Sequence, residues 1–354
     1  MSGGVDSSVT ALLLKNQGYN VVGVFMRCYN LDGCAERDAE DARRVAEHID
    51  IPFYVWDFEE EYKQRVVEYM IDGYRAGITP NPDVMCNREI KFGLFLEKAL
   101  AAGADFVATG HYVKIKNSLK NAGVFSLLEA KDKNKDQSYF LWTLTQKQLQ
   151  RCLFPIGDYI KPEVRRIAAR SGLPTAEKKD SQGICFLGNI SVADFLKQYI
   201  PEKRGALVTT TGEKIGEHFG AEFYTIGQRH IDADFKFPKT GIRADREPFY
   251  IASKDAATNT VVVAQGGENE ALYRKEIELT SVNFLGGKNS IPKNEINVLA
   301  RVRYRQPLAN AKISQLSNGR FKLVFTRPQK FIAPGQSAVW YSKTGEMLGG
   351  GVIV

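Results

Sequence analysis

The first eight residues, MSGGVDSS, combine two glycines, three serines and one aspartate. Glycines allow backbone N–H groups to approach a phosphate closely, and serine hydroxyls at a helix N-terminus can donate hydrogen bonds to it. The common phosphate-binding loop also contains a lysine that reaches the terminal phosphates, whereas the charged residue here is Asp6. A carboxylate repels phosphate unless a cation lies between them, so we expect Asp6 to bind Mg²⁺. A nucleotide held by a metal-bound pyrophosphate is positioned for attack at its α-phosphorus, which leaves AMP on the acceptor.

The segment SGGVDSS, residues 2–8, resembles the pyrophosphate loop of the N-type ATP pyrophosphatases. A helix is predicted to begin near Ser7, and a buried strand follows that helix. The alternative is a Gly/Ser turn that only caps a helix. Such a loop normally follows a buried strand, and only Met1 precedes Ser2 here. We therefore expect this first strand either to lie upstream of the sequence or to be missing.

Cys86 lies in the segment TPNPDVMCNREIKFG, which suggests a reactive thiol. The two prolines are expected to hold the chain extended until a helix begins near Arg88. A thiol close to a helix N-terminus has a lowered pKa and is the better nucleophile. Asp83 precedes Cys86 by three residues, where it can act as an acid or base toward a nearby group. The alternative for any such cysteine is a small buried hydrophobe.

The other four cysteines are not equivalent. Cys185 lies in KKDSQGICFLG, where two preceding lysines favour the thiolate. Cys152, in QRCLF, is interpreted as a buried hydrophobe. The gap between Cys28 and Cys34 is not a usual zinc spacing, so incidental loop thiols are favoured over weak metal binding. Five cysteines in 354 residues do not make a disulfide framework, and reduced thiols are expected.

The elements that position these residues change in character along the chain. Over residues 1–203 strand-like and helix-like segments alternate, which predicts a doubly wound parallel sheet of the α/β class. Residues 204–273 have short β-branched runs and frequent turn pairs, which predicts a small β-rich central domain. Residues 274–354 contain regularly spaced short strands, which predicts a C-terminal β-barrel.

The basic charge is concentrated in the last of these regions. Residues 274–354 carry 13 Lys and Arg against 4 Asp and Glu, whereas residues 1–273 carry 35 against 37. In INVLARVRYR, strand alternation would place Arg301, Arg303 and Arg305 on one face. Such a face either binds a polyanion or is simply a solvated basic surface.

The overall amino-acid composition is typical of a soluble globular protein. Hydrophobic residues make up 44% and charged residues 25%, which is usual for that class. No apolar run is long enough to span a bilayer, and the start lacks the features of a signal peptide. We therefore expect a cytoplasmic protein with no membrane partner.

A series of motifs narrows the function further. NPDVMC, NREIKFG, TGHY, KDQSYFL, SQGICF, YTIGQR, RYRQ, PGQSAV and a GGG-containing end follow one another along nearly the whole chain. In this order they resemble the family of tRNA-specific 2-thiouridylases of the MnmA type. NPDxxCN and GICF are far more specific than the loop alone, because the other pyrophosphate-loop enzymes are not expected to carry them.

The resemblance implies an activity and a set of site residues. The family adenylates the C2 oxygen of the wobble uridine in tRNAs for Lys, Glu and Gln, and then replaces that oxygen with sulfur. Cys185 would carry the sulfur as a persulfide, Cys86 would be the nucleophile that releases it by closing a disulfide, and Asp83 would be the acid or base. The implied ATP-binding residues are Ser2, Gly3, Gly4, Val5, Asp6, Ser7, Ser8, Met26 and Gly110. The implied tRNA contacts are Asn81, Pro82 and Asp83 at the target base, with His111, Lys135, Asp136, Gln137, Arg303, Tyr304 and Gln336 elsewhere.

The resemblance also implies cofactors and partners. ATP and Mg²⁺ are expected at the loop, and tRNA is the expected macromolecular substrate. A sulfur-relay protein or a cysteine desulfurase would supply the sulfur, and the enzyme itself is expected to be a monomer. The alternatives are an iron–sulfur cluster on Cys86 and Cys185, another adenylating synthetase that needs neither cysteine, and a tRNA-binding protein with a degenerate ATP site.

Overall fold

The computed structural model of the protein describes residues 1–29, 31, 33–117, 123–179, 186–188, 190–236, 247–287 and 290–354. The expected persulfide residue, Cys185, lies outside the described residues. The α-helices are α1 (Val5–Asn16), α2 (Cys34–His48), α3 (Glu59–Tyr62), α4 (Glu68–Arg75), α5 (Pro82–Met85), α6 (Phe95–Ala101), α7 (Gln146–Leu149), α8 (Lys161–Arg170) and α9 (Val192–Leu196).

The N-terminal region has mixed α/β structure with parallel strand pairing. Its strands are β1 (Gly23–Arg27), β2 (Phe53–Asp57), β3 (Val107–Ala108), β4 (Val113–Asn117), β5 (Phe125–Glu129) and β6 (Cys152–Leu153). Strand β1 pairs in parallel with β2, and β3 pairs in parallel with β6, whereas β4 and β5 form an antiparallel hairpin. Helices α1 and α8 pack on one another through an apolar cluster that includes Val5, Val9 and Val164.

Two helical regions contain π-helical turns. Residues Lys63–Val67 join α3 to α4, and residues Cys86–Leu94 join α5 to α6. π-Helical turns are rare and frequently lie at functional sites. The expectation that the chain stays extended as far as Arg88 is wrong, because Pro82 is the first residue of α5. Proline is tolerated at that position, since its missing N–H would have no partner inside the helix anyway.

The central region is a five-stranded sheet. Its strands are β7 (Gly205–Thr209), β8 (Lys214–His218), β9 (Ala233–Phe235), β10 (Phe249–Asp255) and β11 (Thr260–Gln265). Their spatial order is β10-β11-β7-β8-β9. The apolar face of this sheet shares one core cluster with the helices of residues 59–75, because Leu207 and Val263 pack with Met70 and Tyr74. The central sheet is therefore fixed directly against the helices that precede Asp83.

The C-terminal region is a closed antiparallel barrel. Its strands are β12 (Tyr273–Phe284), β13 (Ile296–Arg301), β14 (Ala309–Gln315), β15 (Phe321–Lys330), β16 (Ser337–Tyr341) and β17 (Met347–Ile353), in the order β12-β15-β14-β13-β16-β17. Pairing of β12 with β17 closes the barrel. The barrel shares a second core cluster with the N-terminal region, in which Val339 and Tyr341 pack with Phe92 and Trp142.

These elements confirm the α/β fold class, with a β-rich central part and a C-terminal barrel. The expectation of three aligned guanidiniums on one strand is wrong. Strand β13 ends at Arg301, and the chain then turns, with Arg305 in the left-handed region at φ 64°. None of the helices in the described part of the chain combines the length and apolar character that a membrane crossing requires.

Candidate active site

The loop of residues 2–8 is folded by its own serines. The backbone N–H of Ser2 donates to Ser7 Oγ over 3.1 Å, and the hydroxyls of Ser7 and Ser8 both donate to the carbonyl oxygen of Gly4 over 3.0 and 2.9 Å. Helix α1 begins at Val5 rather than near Ser7, with Gly4 as its N-cap. Ser7 and Ser8 therefore lie in the first turn of the helix, whose first N–H groups have no partner within the helix, and Ser2 precedes it.

Two glycines allow other segments to approach the loop. Gly3 has φ 70°, and a Cβ there would lie 2.3 Å from the carbonyl oxygen of Asp38. A Cβ on Gly110 would lie 2.8 Å from the backbone nitrogen of Ser7. Any larger residue would therefore displace the loop. The proposed ATP residues of the loop and Gly110 lie together, and Met26 lies half-buried in β1.

A lysine from far along the chain lies at this loop. Lys161 Nζ donates to both carboxylate oxygens of Asp6, over 2.8 and 2.9 Å, and the residues are 155 positions apart. Tyr112 Oη also donates to Asp6 Oδ1 over 2.8 Å. Neither residue is predicted from the sequence as part of the site. Lys161 lies in no recognisable phosphate-binding motif, whereas Tyr112 is the last residue of TGHY, of which only Gly110 and His111 are predicted to bind a ligand.

The oxygen atoms around Asp6 suit a magnesium ion that arrives with a nucleotide. Within the described ranges, no three or more His, Cys, Asp or Glu side chains are grouped to hold a metal ion. The Asp6 carboxylate is partly exposed, and the Ser2 and Ser7 hydroxyls of the same loop lie 3.2 Å from one another. Mg²⁺ is usually bound by one or two carboxylates, with phosphates and water completing its shell.

The segment around Asp83 and Cys86 forms the start of a helix. Asn81 caps α5 by accepting a hydrogen bond from the N–H of Val84 over 3.2 Å. Asp83 lies in the first turn, and Cys86 begins the π-helical turns. Residues three apart on a helix lie on the same face. The carboxyl and the thiol are therefore neighbours, and both are half-buried.

The ionisation of two residues here depends on burial and on one lysine. Burial raises the pKa of Asp83 above its ordinary 3.8, and the positive charge of Lys91 opposes that rise. Burial lowers the pKa of His111 well below 6.5, and Lys91 lowers it further. The imidazole is therefore neutral, with Nδ1 2.6 Å from Thr109 Oγ1. Because Lys91 acts on both groups, Asp83 and His111 share one electrostatic environment.

The C-terminal barrel positions the Asn81 segment. Gln336 Nε2 donates to the carbonyl oxygens of Thr79 and Pro80 over 3.0 and 3.1 Å, and its Oε1 accepts from Asn81 Nδ2 over 3.4 Å. The N–H of Thr79 donates to the carbonyl of Pro334 over 2.8 Å. Gln336, proposed as a tRNA contact, thus also fixes the segment proposed to line the target base.

Asp136 is the acidic residue of the proposed tRNA-binding run, residues 135–137, and it is buried. Its side chain is 1% exposed, and Oδ2 accepts from Arg301 over 3.0 Å and from Ser138 Oγ over 2.8 Å. Arg301 also binds Glu129 over 3.1 Å. Arg301 is therefore not part of a solvent-facing basic surface. Asp136 holds the backbone around residues 135–137 through its buried contacts and is not itself exposed.

The other members of the run differ in accessibility. Gln137 is half-buried, and its Oε1 accepts from the N–H of Tyr112 over 2.9 Å. Lys135 is half-buried. Arg303 lies over the Phe331 ring and donates to the carbonyl of Ile226 over 2.6 Å, and its burial lowers its pKa.

Tyr304 belongs to an aromatic group next to these residues. The Tyr304 ring centroid lies 4.5 Å from that of Phe140. The guanidinium of the exposed Arg305 lies over the Tyr304 ring, 5.3 Å from its centroid. A half-exposed ring with a stacked guanidinium is the kind of surface on which unpaired bases stack.

Replacing Arg301 by methionine is expected to destabilise the folded protein by about 3–5 kcal/mol, because the buried carboxylate of Asp136 would lose the guanidinium that it contacts over 3.0 Å. Chemical denaturation followed by tryptophan fluorescence measures this loss. The control, Arg305→Met, changes an exposed side chain and should cost less than about 0.5 kcal/mol. Equal stability of the two variants would contradict the assignment of a buried ion pair.

Known protein families match the chain along its length. A family model described as "tRNA methyl transferase HUP domain" matches residues 1–189. A "tRNA methyl transferase PRC-barrel domain" matches residues 193–265, and an "Aminomethyltransferase beta-barrel domain" matches residues 274–353.

Curated relatives match the whole chain. A protein of Streptococcus thermophilus (strain CNRZ 1066) named tRNA-specific 2-thiouridylase MnmA is 46% identical over 359 residues, covering 100% of this chain and 93% of that protein. Its namesake from Geobacillus thermodenitrificans is 45% identical over 358 residues, with the same coverage. Among solved structures, NMN synthetase from Francisella tularensis matches 51% of this chain and 63% of that chain at 15% identity and a TM-score of 0.31, which supports no conclusion.

Proposed function

The chain belongs to the family of tRNA-specific 2-thiouridylases of the MnmA type, and on that basis we propose that it thiolates C2 of the wobble uridine in tRNAs for Lys, Glu and Gln. ATP is consumed to AMP and pyrophosphate, and the sulfur comes from a persulfide on Cys185. The observation that best supports this proposal is the contact between the loop and the segment that carries His111. Gly110 contacts the loop at Ser7, the next residue is His111, and Lys91 acts electrostatically on both His111 and Asp83.

The first step is adenylation of the uracil. The C2 oxygen attacks the α-phosphorus of ATP, an O–P bond forms, and the bond to pyrophosphate breaks with its electron pair leaving on pyrophosphate. The proton of N3 passes to Asp83. A carboxyl whose pKa is raised by burial is a suitable acceptor, because it can hold that proton and later return it. Magnesium bound at Asp6 would neutralise charge on the departing pyrophosphate.

The second step exchanges AMP for sulfur. The terminal sulfur of the Cys185 persulfide attacks C2, a C–S bond forms, and the C–O bond breaks as AMP leaves with the electron pair. The Cys86 thiolate then attacks the Cys185 sulfur, which forms a disulfide and releases the thiocarbonyl of 2-thiouridine. Asp83 returns the proton to N3. A thiol reductant must cleave the disulfide before the next cycle.

The proposal assigns a role to each region. Residues 1–203 would form the ATP-binding catalytic domain, 204–273 the central domain and 274–354 the tRNA-contacting barrel. Asn81 and Pro82 would line the target base. His111, Lys135, Gln137, Arg303, Tyr304 and Gln336 would contact the tRNA. We further propose a cytoplasmic monomer that receives sulfur from a relay protein or a cysteine desulfurase.

Two other functions deserve direct tests. The family-model descriptions speak of methyl transfer, which would need a methyl donor and no ATP cleavage. An iron–sulfur cluster on Cys86 and Cys185 would give visible absorption after anaerobic purification. A purified persulfide enzyme would be colourless.

Mass spectrometry of nucleosides from tRNA treated in vitro tests the function. Unmodified tRNA, ATP, Mg²⁺ and a persulfide donor should give wobble uridine with one oxygen exchanged for sulfur, and only when ATP is present. A product with an added methyl group, or no ATP requirement, would contradict the proposal.

The pH dependence of thiolation should respond to Lys91. Removing its positive charge in Lys91→Met takes away the interaction that lowers the pKa of Asp83, so that pKa rises further. Because Asp83 must start ionised to accept the N3 proton, the acidic limb of kcat should move to higher pH. The control, Lys98→Met, removes an ammonium that lies over the Trp56 ring and should leave the limb in place. A shift to lower pH in Lys91→Met would be the contrary result.

A further inference from the structure

The Asp6–Lys161 ion pair lies at the loop to which the proposed function assigns the nucleotide. Asp6 lies in the first turn of α1, directly after the Gly3–Gly4 pair, and its side chain is 32% exposed. Lys161 is the first residue of α8, and its side chain is only 11% exposed. The loop of residues 2–8 contains no lysine of its own, but Lys161 of helix α8 brings one to it.

The backbone of Lys161 is fixed while its side chain is long. Its N–H donates to Asp132 Oδ2 over 2.9 Å, and α8 packs on α1 through buried Val164 and Ala168. The four-carbon stem of lysine lets the ammonium change partners without moving the helix. A charge with so little exposure needs a partner at all times, and Asp6 supplies one in the nucleotide-free protein.

The charges change when a metal-bound nucleotide arrives. A carboxylate that is shared with an ammonium is a weaker ligand for a metal ion, and phosphate oxygens carry more negative charge than one carboxylate. Charge-assisted hydrogen bonds from lysine to phosphate are among the strong ones in proteins. Lys161 and Asp6 therefore both form stronger interactions in the bound state, Lys161 with a phosphate oxygen and Asp6 with the metal ion.

We propose that Lys161 is the phosphate-binding cation of this loop, and that the Asp6–Lys161 pair separates when ATP binds. The ammonium then bonds an oxygen of the β–γ pyrophosphate, and Asp6 becomes available to the accompanying metal ion. When the bond to the α-phosphorus breaks, Lys161 stabilises the charge on the departing pyrophosphate and afterwards pairs with Asp6 again. The inference deepens the proposed function and rests on it.

Calorimetric titration of the full chain with ATP, AMP and inorganic pyrophosphate, each with Mg²⁺, tests the exchange. Lys161→Met should weaken ATP and pyrophosphate binding by about 10- to 100-fold, the range expected for a hydrogen bond to a charged group. AMP binding should change little, because AMP lacks the phosphates that Lys161 contacts. Lys161→Arg should restore part of the pyrophosphate affinity, since it keeps the charge.

A double-mutant cycle separates exchange from a permanent structural pair. If the partners exchange, Asp6→Asn and Lys161→Met remove different contacts in the bound state, so the double variant should lose at least the product of the two single losses in ATP affinity. If the pair persists, the double variant should be no worse than either single one, and the inference is overturned. Equal weakening of AMP and pyrophosphate by Lys161→Met would overturn it too.

Thermal unfolding of each variant shows whether the binding losses come from unfolding. Lys161→Arg keeps the charge and serves as the folded comparison. If the unaltered protein bound neither ATP nor pyrophosphate, the proposed function itself would fail together with this inference. If it bound both and Lys161→Met did so equally well, only this inference would fail.

Discussion

Replacing Asp6 by alanine is expected to abolish AMP formation, with a loss on the order of 10²-fold or more, as for removal of groups that hold or orient a catalytic metal. The variant loses the only carboxylate that the loop of residues 2–8 contains. It also removes the carboxylate that Lys161 contacts over 2.8 Å. The Lys161 ammonium would then lose the contact that sets its position at the loop. Measurement of tRNA-dependent AMP release from ATP checks the prediction.

The matched control for Asp6→Ala is Asp41→Asn. Asp41 lies in α2, and its carboxylate binds Lys178 over 2.5 Å. This control removes a carboxylate that is paired with a different lysine, so AMP formation should persist. If both variants kept normal AMP formation, the metal-binding role of Asp6 would be wrong.

Replacing Cys185 by serine is expected to separate the two halves of the reaction. The variant should still consume ATP to AMP in the presence of tRNA, because in the proposed mechanism the uracil oxygen attacks the α-phosphorus without help from a thiol. Thiouridine should fall below detection, since a serine hydroxyl cannot carry a persulfide. Parallel assays of AMP and of thiolated nucleoside give the two readings from one reaction.

Cys152→Ala is the matched control for the cysteine variant. Cys152 lies in β6 with a side chain that is buried, and burial raises the pKa of its thiol to about 12, so it stays protonated and unreactive. Thiolation should continue in this variant. A normal thiouridine yield from Cys185→Ser would remove the persulfide assignment and favour sulfur delivery by another route.

The parts that the sequence predicts well are those set by contiguous residues. The loop, the alternation of helices and strands in the first region, and the barrel strands all follow from local spacing and periodicity. Gly110 is different, because only the family resemblance implies that it binds ATP, and its close approach to the loop at Ser7 is seen in the structure alone.

The parts that could not be predicted depend on contacts between distant segments. Lys161 reaches Asp6 from another helix, and Gln336 reaches Thr79 from the barrel. Alternation indicates which side chains share a face, but it does not reveal where a strand ends. Arg301 is the last residue of β13, and it is buried because Asp136 and Glu129 lie opposite it on the N-terminal region.

The start of the helix at Pro82 illustrates a further limit. A proline is compatible both with an extended segment and with the first position of a helix. The choice is made by Asn81, whose side chain caps the helix, and by Gln336, which fixes the carbonyls just before it. This choice places Asp83 and Cys86 on one helical turn, and the proposed chemistry requires that proximity.

The proposed function requires that ATP is cleaved between its α- and β-phosphates to activate the uracil oxygen. ATP labelled in its α-phosphate, incubated with the protein and unmodified tRNA, identifies the bond that is cleaved. Labelled AMP should form, and only when tRNA is present. Labelled ADP, or AMP formed at the same rate without tRNA, would contradict the proposed function.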